Sequence, residues 1–234
     1  MSQTLVQQTN SFIGNAAGSF TSATAIHDLL VCVAAAYLEA SSSTAGVPVI
    51  GTPTTAGFTW TQAASFSSAS AVNESGNWYT ETVVMFYIGN AAVMSPSATT
   101  TVSMSNFSAQ TNSYGVQLLE FSGASVLDVK AGQSGPPASY PIGAGTLTTA
   151  AVDIMVTLAS DPNFNSQFSA AAGFTMTNMG GVGAFIGGCQ YALNVAAGAN
   201  NTAFGNGSFS GPWTSVGAAF KAASGFYGFP TALL

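Results

Sequence analysis

The chain has 234 residues, of which 47% are hydrophobic and only 4% are charged, and its formal net charge is −6. This hydrophobic content supports a substantial core and excludes a disordered chain. Its two basic residues, Lys130 and Lys221, stand far apart, which excludes nucleic-acid binding because that function needs clustered basic side chains. No apolar run reaches the roughly 18 residues of a membrane-spanning helix, so we expect no membrane partner.

Apolar runs of strand length recur between clusters of Gly, Pro, Asn and Ser, a pattern that predicts an all-β sandwich or barrel with little helix. Residues 29–37 read as a strand buried on both faces; their alanines also suit a helix, but the β-branched start favours a strand. Further strands are expected at residues 82–88, 99–104, 116–121, 188–195 and 213–220.

Residues 152–158 alternate most regularly between apolar and polar side chains. This alternation predicts a half-buried strand whose apolar face carries Val152, Ile154, Val156 and Leu158. Three stretches rich in Gly and Ser, at residues 40–56, 131–145 and 197–211, are expected to be loops. None has the character of a domain linker, so we expect one sandwich domain at residues 19–221, flanked by an N-terminal arm (1–18) and a C-terminal tail (222–234).

The order of these segments resembles LamG-like (concanavalin-like) jelly-roll domains of phage virion proteins and bacterial surface proteins. The matching segments lie between Ser19 and Lys221: 28–31, 58–60, 83–88, 116–123, 151–158, 173–175 and 213–221. The resemblance implies an antiparallel β-sandwich of the jelly-roll type that serves as a structural or attachment module. It implies no catalytic residues and no cofactor.

Enzyme chemistry has few candidates in this sequence. His27 is the single histidine, and no Gly-x-Ser-x-Gly nucleophile motif accompanies it. The carboxylates show no paired arrangement on one strand face of the kind that glycoside hydrolysis requires. We therefore expect a protein that is not an enzyme and has no catalytic residues.

Two weaker binding patterns are present. Asp161, Asn163 and Asn165 place oxygen ligands at alternate positions, as calcium loops do, although an ordinary Asx-rich turn gives the same pattern. Trp60, Trp78 and Tyr79 are candidate glycan contacts, with an ordinary solvated hairpin as the alternative for the last two. Cys32 and Cys189 fit two buried thiols, with a single disulfide bridge as the alternative.

The C-terminal tail is the most distinctive local feature. It follows the last predicted strand and carries five large apolar side chains, which are Phe226, Tyr227, Phe229, Leu233 and Leu234. Because burial of each is worth roughly 1.5–3 kcal/mol, the tail is expected to dock, either on its own domain or on a neighbouring subunit.

Together these features predict a structural virion protein, either a capsid decoration (cement) protein or a fibre or tail component. We expect a homo-oligomer, with a trimer as the first guess, that docks to a major capsid or tail protein. The first residues show no secretory signal, so the chain is expected to be made in the host cytoplasm and to lie on the virion surface. The alternative is a carbohydrate-binding adhesin or receptor-binding module with a glycan as its partner.

Overall fold

The computed structural model describes residues 2–9, 12–13, 17–40, 46–68, 72–74, 76–105, 113–135, 141–161, 168–179, 186–205 and 212–222. These residues form 20 β-strands and no helix. The first ten strands are β1 (Thr4–Gln8), β2 (Phe12–Ile13), β3 (Ala17–Gly18), β4 (Leu29–Ala40), β5 (Val49–Ile50), β6 (Thr54–Thr55), β7 (Phe58–Thr59), β8 (Thr61–Ser67), β9 (Val72–Glu74) and β10 (Asn77–Ile88). The other ten are β11 (Thr100–Thr101), β12 (Met104–Ser105), β13 (Ser113–Ser122), β14 (Val126–Gly135), β15 (Thr146–Thr149), β16 (Asp153–Asp161), β17 (Thr175–Met179), β18 (Ile186–Val195), β19 (Gly198–Asn201) and β20 (Trp213–Lys221).

Two large antiparallel sheets form the body of the protein. The front sheet has the strand order β1-β13-β4-β10-β8, with β2 also paired to β13 and β9 to β10. The back sheet has the order β14-β20-β16-β18-β17. Their inner faces meet in one core that includes Tyr37, Met85, Phe121, Leu158 and Phe220. The all-β antiparallel sandwich predicted from the sequence is confirmed.

The central strands of the front sheet are buried on both faces. Leu30, Cys32 and Phe86 point away from the back sheet into a second apolar cluster, which Phe20, Ile50, Trp60, Met94 and Val102 complete. The short strands β3, β11, β6 and β7 form a four-stranded sheet whose neighbouring residues belong to this cluster. The uninterrupted apolar run at residues 29–37 is thereby explained, because both faces of β4 need apolar side chains.

The predicted half-buried strand at 152–158 is wrong in two respects. Strand β16 begins at Asp153 and is buried along its whole length, whereas Val152 is exposed. Ile154, Val156 and Leu158 do share the inner face, but the opposite face is also covered, since Met155 packs with Leu147 and Ala219. The alternation of apolar and polar residues in this strand therefore reflects two buried faces with different surroundings, and not one buried face and one face exposed to water.

Several predicted loops contain strands. Residues 131–135 belong to β14, residues 198–201 form β19, and the stretch 40–56 contains the short strands β5 and β6. Strand β14 pairs with β20 as far as Gly135 opposite Trp213. Backbone pairing of this kind needs no apolar side chains, which is why the composition of the segment gave the wrong prediction. The strand expected at 99–104 is instead split into β11 and β12.

The two cysteines lie in different apolar clusters. Cys32 faces the outer cluster of the front sheet and Cys189 faces the core between the sheets. Both thiols are free and buried, so the interpretation as two buried thiols is confirmed and the alternative of a disulfide is wrong.

Candidate functional site

A surface groove with a volume of about 510 Å³ lies over the outer face of the front sheet. Hairpin β6–β7 and strand β11 form its walls, and its lining is dominated by threonine. Thr101 lies opposite Thr54, which in turn lies opposite Thr59, so three exposed hydroxyl side chains stand side by side on neighbouring strands. Thr52 and Thr99 are also exposed and extend this array along the strands.

Trp60 lies beneath the array and not on its surface. The indole is buried, and its Nε1 donates a hydrogen bond to Thr55 Oγ1 at 3.0 Å. Thr55 in turn shares a hydrogen bond with Thr100 Oγ1 at 2.7 Å. The ring supports the groove from within, while the partly exposed Phe58 is the aromatic side chain nearest to solvent there.

The other two candidate glycan contacts lie elsewhere. Tyr79 is buried and packs against Tyr37 in the core between the sheets, with ring centroids 6.1 Å apart. Trp78 is partly exposed near the start of β10, whereas Trp60 adjoins the other end of that strand, close to Phe86. Eight residues of strand separate Trp78 from Phe86, which corresponds to about 26 Å. The three aromatics therefore do not form one binding surface.

The structure separates the remaining candidate residues as well. His27 is exposed with a positive φ of 71°, and its Nδ1 shares a hydrogen bond with Asn90 Oδ1 at 2.6 Å. Asp161 is buried at the end of β16, but Asn163 and Asn165 lie outside the described residues. Within the described ranges, no group of three or more His, Cys, Asp or Glu side chains is suitably placed for a metal ion. The five apolar tail residues, Phe226, Tyr227, Phe229, Leu233 and Leu234, also lie outside the described residues.

A feature that the sequence did not reveal is the burial of acidic groups. Five of the eight carboxylates are buried: Asp28, Glu81, Glu120, Asp153 and Asp161. Glu39, Asp128 and Lys221 are partly exposed, and Lys130 is exposed. The described surface is consequently almost free of charge.

One acidic pair holds the N-terminal segment. The Glu120 carboxylate accepts a hydrogen bond from Gln7 Nε2 at 2.6 Å and another from the backbone N–H of Ala25 at 2.7 Å. Asp28 lies beside Glu120, and burial, followed by the hydrogen bond and charge of Glu120, raises the pKa of Asp28 from 3.8 to about 6. The pair therefore carries less negative charge in mildly acidic solution than two isolated carboxylates would.

A second acidic cluster, which also contains a lysine, lies where strands β14 and β16 flank the end of β20. Lys221 Nζ lies 2.6 Å from Asp128 Oδ1, and the backbone N–H of Ala150 donates to Asp128 Oδ2 at 2.7 Å. Asp128 is the extra residue of a bulge between Leu127 and Val129, and a bulge redirects the side chain it carries. The Ala150 hydrogen bond, followed by the one from Lys221, lowers the pKa of Asp128.

Asp153 completes this second cluster. It lies opposite Lys221 in the β16–β20 pairing and is fully buried. Among the described residues, no N–H or hydroxyl group donates a hydrogen bond to either of its carboxyl oxygens. Burial, followed by the charge of Asp128, raises the pKa of Asp153 to about 7. At this buried site, a neutral Asp153 that shares its proton with Asp128 has a lower free energy than a second carboxylate anion would have.

Comparison with protein-family models, with curated proteins and with solved structures finds no match. No membrane-spanning helix occurs among the described residues. The fold itself defines the class of protein as an antiparallel β-sandwich with covered outer faces.

Proposed function

We propose that this chain is a structural virion protein, a capsid decoration (cement) protein or a fibre or tail component, and not an enzyme. It assembles through its sandwich and its terminal arms. The observation that carries this proposal is the nearly uncharged surface. Among the described residues whose exposure is known, Lys130 is the one exposed charge, while Glu39, Asp128 and Lys221 are partly exposed. The resemblance in strand order to virion jelly-roll domains supports the same function.

The low surface charge matters because it removes the usual barrier between like subunits. Copies that carry many charges of one sign repel one another, and this repulsion keeps soluble proteins apart. Here most of the formal charge of −6 is on buried carboxylates, and two of these, Asp28 and Asp153, have raised pKa values. Hydroxyl-rich surfaces of this kind can approach closely, as the subunits of a shell or fibre must.

Sedimentation velocity over a range of salt concentrations tests the proposal. We expect a discrete oligomer whose mass does not change between about 0.05 and 1 M salt, because screening has little surface charge to act on. Thr175→Asp, which introduces an exposed carboxylate on β17 of the back sheet, serves as the matched control for added charge. A chain that stays monomeric at all protein and salt concentrations would contradict assembly.

The threonine groove favours a second candidate function, the binding of a neutral glycan. Hydroxyl groups at regular spacings can exchange hydrogen bonds with sugar hydroxyls, and Phe58 is a partly exposed aromatic residue in the lining. The test is titration with a panel of neutral oligosaccharides, comparing wild type with Thr54→Ala/Thr101→Ala. The control is Thr175→Ala, which removes an exposed threonine from the back sheet. Binding that is lost in the double variant alone would establish the groove as the site.

A further inference from the structure

One end of the sandwich brings together the start of the N-terminal strand, the end of the last strand and an exposed apolar surface. In the front sheet, β4 begins here at Leu29 opposite Phe121, and β10 ends here at Ile88 opposite Leu30. In the back sheet, Val126 and Asp153 both lie opposite Lys221, the last residue of β20. We call this surface the strand-end face.

Four of the six large apolar side chains that are exposed among the described residues lie on the strand-end face. They are Ile26 (60% exposed), Val93 (55%), Val126 (40%) and Val152 (54%). Such side chains are unremarkable when scattered singly, but a concentration at one place indicates an interaction surface.

Backbone hydrogen bonds join the loops of this face into one platform. The segment around Ile26 is fastened to the segment around Val93 by His27 N–H to Ala91 O at 2.8 Å and by Thr24 N–H to Met94 O at 3.0 Å. On the other side, Ser125 N–H donates to Lys221 O at 3.0 Å, next to Val126. Gln3 Nε2 donates to the carbonyl of Val152 at 3.2 Å. The apolar side chains are therefore held on ordered backbone.

The charged groups of this face are largely neutralised. Asp128 is paired with Lys221, and Asp28 and Asp153 lie buried beside the acidic partners Glu120 and Asp128. An apolar segment that approaches the face does not have to strip water from isolated exposed charges, which would oppose its binding.

The place where strand β20 ends indicates what covers the face. Strand β20 runs toward it and ends at Lys221, which pairs with Val126 of β14 and with Asp153, the residue after Val152. The 13 residues that follow include five large apolar side chains. A chain that continues in the direction of β20 moves away from its own domain and reaches a second copy placed opposite without reversing direction. Two copies that exchange tails in this way make the same contact twice, as a closed symmetric interface requires.

We propose that the strand-end face is the docking surface for the C-terminal tail of a second copy of this chain. This inference rests on the proposed function, because it specifies where one subunit of the assembly holds another. It assigns the tail to an apolar site formed by Ile26, Val93, Val126 and Val152.

The experiment uses the full chain with the paired substitution Val93→Asp/Val152→Asp and measures two quantities. The first is the mass in sedimentation velocity, and the second is the rate at which chymotrypsin cuts the tail at Phe226 or Tyr227. We expect wild type to be an oligomer with a slowly cut tail, and the variant to be a monomer whose tail is cut at least tenfold faster. The matched control is Val49→Asp, which places a carboxylate at a similarly exposed valine (49%) on β5, away from this face. It should leave both quantities unchanged.

Other results overturn the inference in distinguishable ways. If serine replacement of the five apolar tail residues dissociates the oligomer but the face variant leaves mass and cleavage unchanged, the tail docks elsewhere and the assembly proposal stands. A monomeric wild type whose tail resists chymotrypsin until the face is substituted would show that each tail folds back onto its own copy. A monomeric wild type with a rapidly cut tail would overturn both the docking site and the proposed assembly.

Discussion

Gln3 and Asn194 are 191 residues apart in the chain, yet the backbone N–H of Asn194 donates a hydrogen bond to Gln3 Oε1 at 2.7 Å. Gln3 directly precedes strand β1 of the front sheet, whereas Asn194 belongs to β18 in the back sheet. The side-chain amide of Gln3 also donates to Val152 O, so one buried residue bridges the two sheets. The N-terminal strand is thus integrated into the sandwich at its strand-end face.

Gln3→Ala should lower the free energy of unfolding by about 2 kcal/mol, because it removes two hydrogen bonds and leaves the Asn194 N–H without its acceptor. Urea unfolding followed by tryptophan fluorescence measures the change. Gln8→Ala is the matched control, since Gln8 is an exposed glutamine on β1, the strand that follows Gln3; it should cost less than about 0.5 kcal/mol. Equal losses for the two variants would show that the bridge contributes nothing.

Gly89→Ala should be strongly destabilising, by about 3 kcal/mol. A Cβ at this position would overlap the backbone carbonyl of Ser125, where the end of β10 meets the segment that leads into β14. At Gly46 an added Cβ meets no atom within 4 Å, so Gly46→Ala is the control and should be nearly neutral. Thermal unfolding compares the two, and a stable Gly89→Ala variant would contradict the close approach of these segments.

The two cysteines should be unreactive toward a thiol reagent such as DTNB in the folded protein and should both react after denaturation. Burial raises the pKa of the Cys32 thiol and raises that of Cys189 to about 12, and the thiolate is the reactive form. The number of labelled thiols per chain, counted with and without denaturant, measures this. Rapid labelling of the native protein, or no free thiol after unfolding, would contradict the assignment.

The stability of the fold should decrease as the pH rises toward neutrality. The pKa of Asp153 is about 7 in the folded protein, compared with the ordinary aspartate value of 3.8, so the folded state binds the proton more tightly. Its contribution to stability is fully present below about pH 4 and is lost as the pH rises to about 7. Asp28 acts in the same direction over a window that closes at about pH 6. The melting temperature of wild type should therefore fall as the pH rises from about 4 to about 7.

Asp153→Asn should flatten this decrease above pH 6, because the amide is neutral at every pH. Asp28→Asn is the matched control. It should flatten the pH dependence of the melting temperature below pH 6 and leave that dependence unchanged above pH 6. The chain contains four aspartates, so a carboxyl ¹³C titration of the wild-type protein resolves them directly. An Asp153 signal that titrates near pH 4 would contradict the shared proton.

The sequence predicted the central strands well and their surroundings poorly. The apolar run of β4 is long enough to identify a strand buried on both faces, and β18 and β20 follow the predicted segments within two residues. The short strands that cover the outer face of the front sheet could not be predicted, because β6, β7 and β11 have two residues each and are rich in threonine. These strands form only because segments that are distant in the chain pair with each other, as Thr101 of β11 pairs with Thr54 of β6.

The positions of the candidate site residues were also difficult to predict from the sequence. Trp60 was a reasonable surface candidate by residue type, but its indole N–H is satisfied inside the protein by Thr55. Asp128, Asp153 and Lys221 are far apart in the sequence, and they meet because a bulge in β14 and the register of β16 with β20 bring their side chains together. No spacing along the chain signals such a cluster. The tail residues and the calcium candidates Asn163 and Asn165 lie outside the described residues, so those expectations stay predictions.

The central claim, that this chain assembles through its tail, is tested most directly by light scattering on the full chain and on a chain shortened after Ser224. Circular dichroism of both forms checks that the sandwich is retained. We predict that the full chain is a discrete oligomer and that the shortened chain is a folded monomer. Two folded monomers would contradict assembly through the tail and would favour the glycan-binding function of the threonine groove.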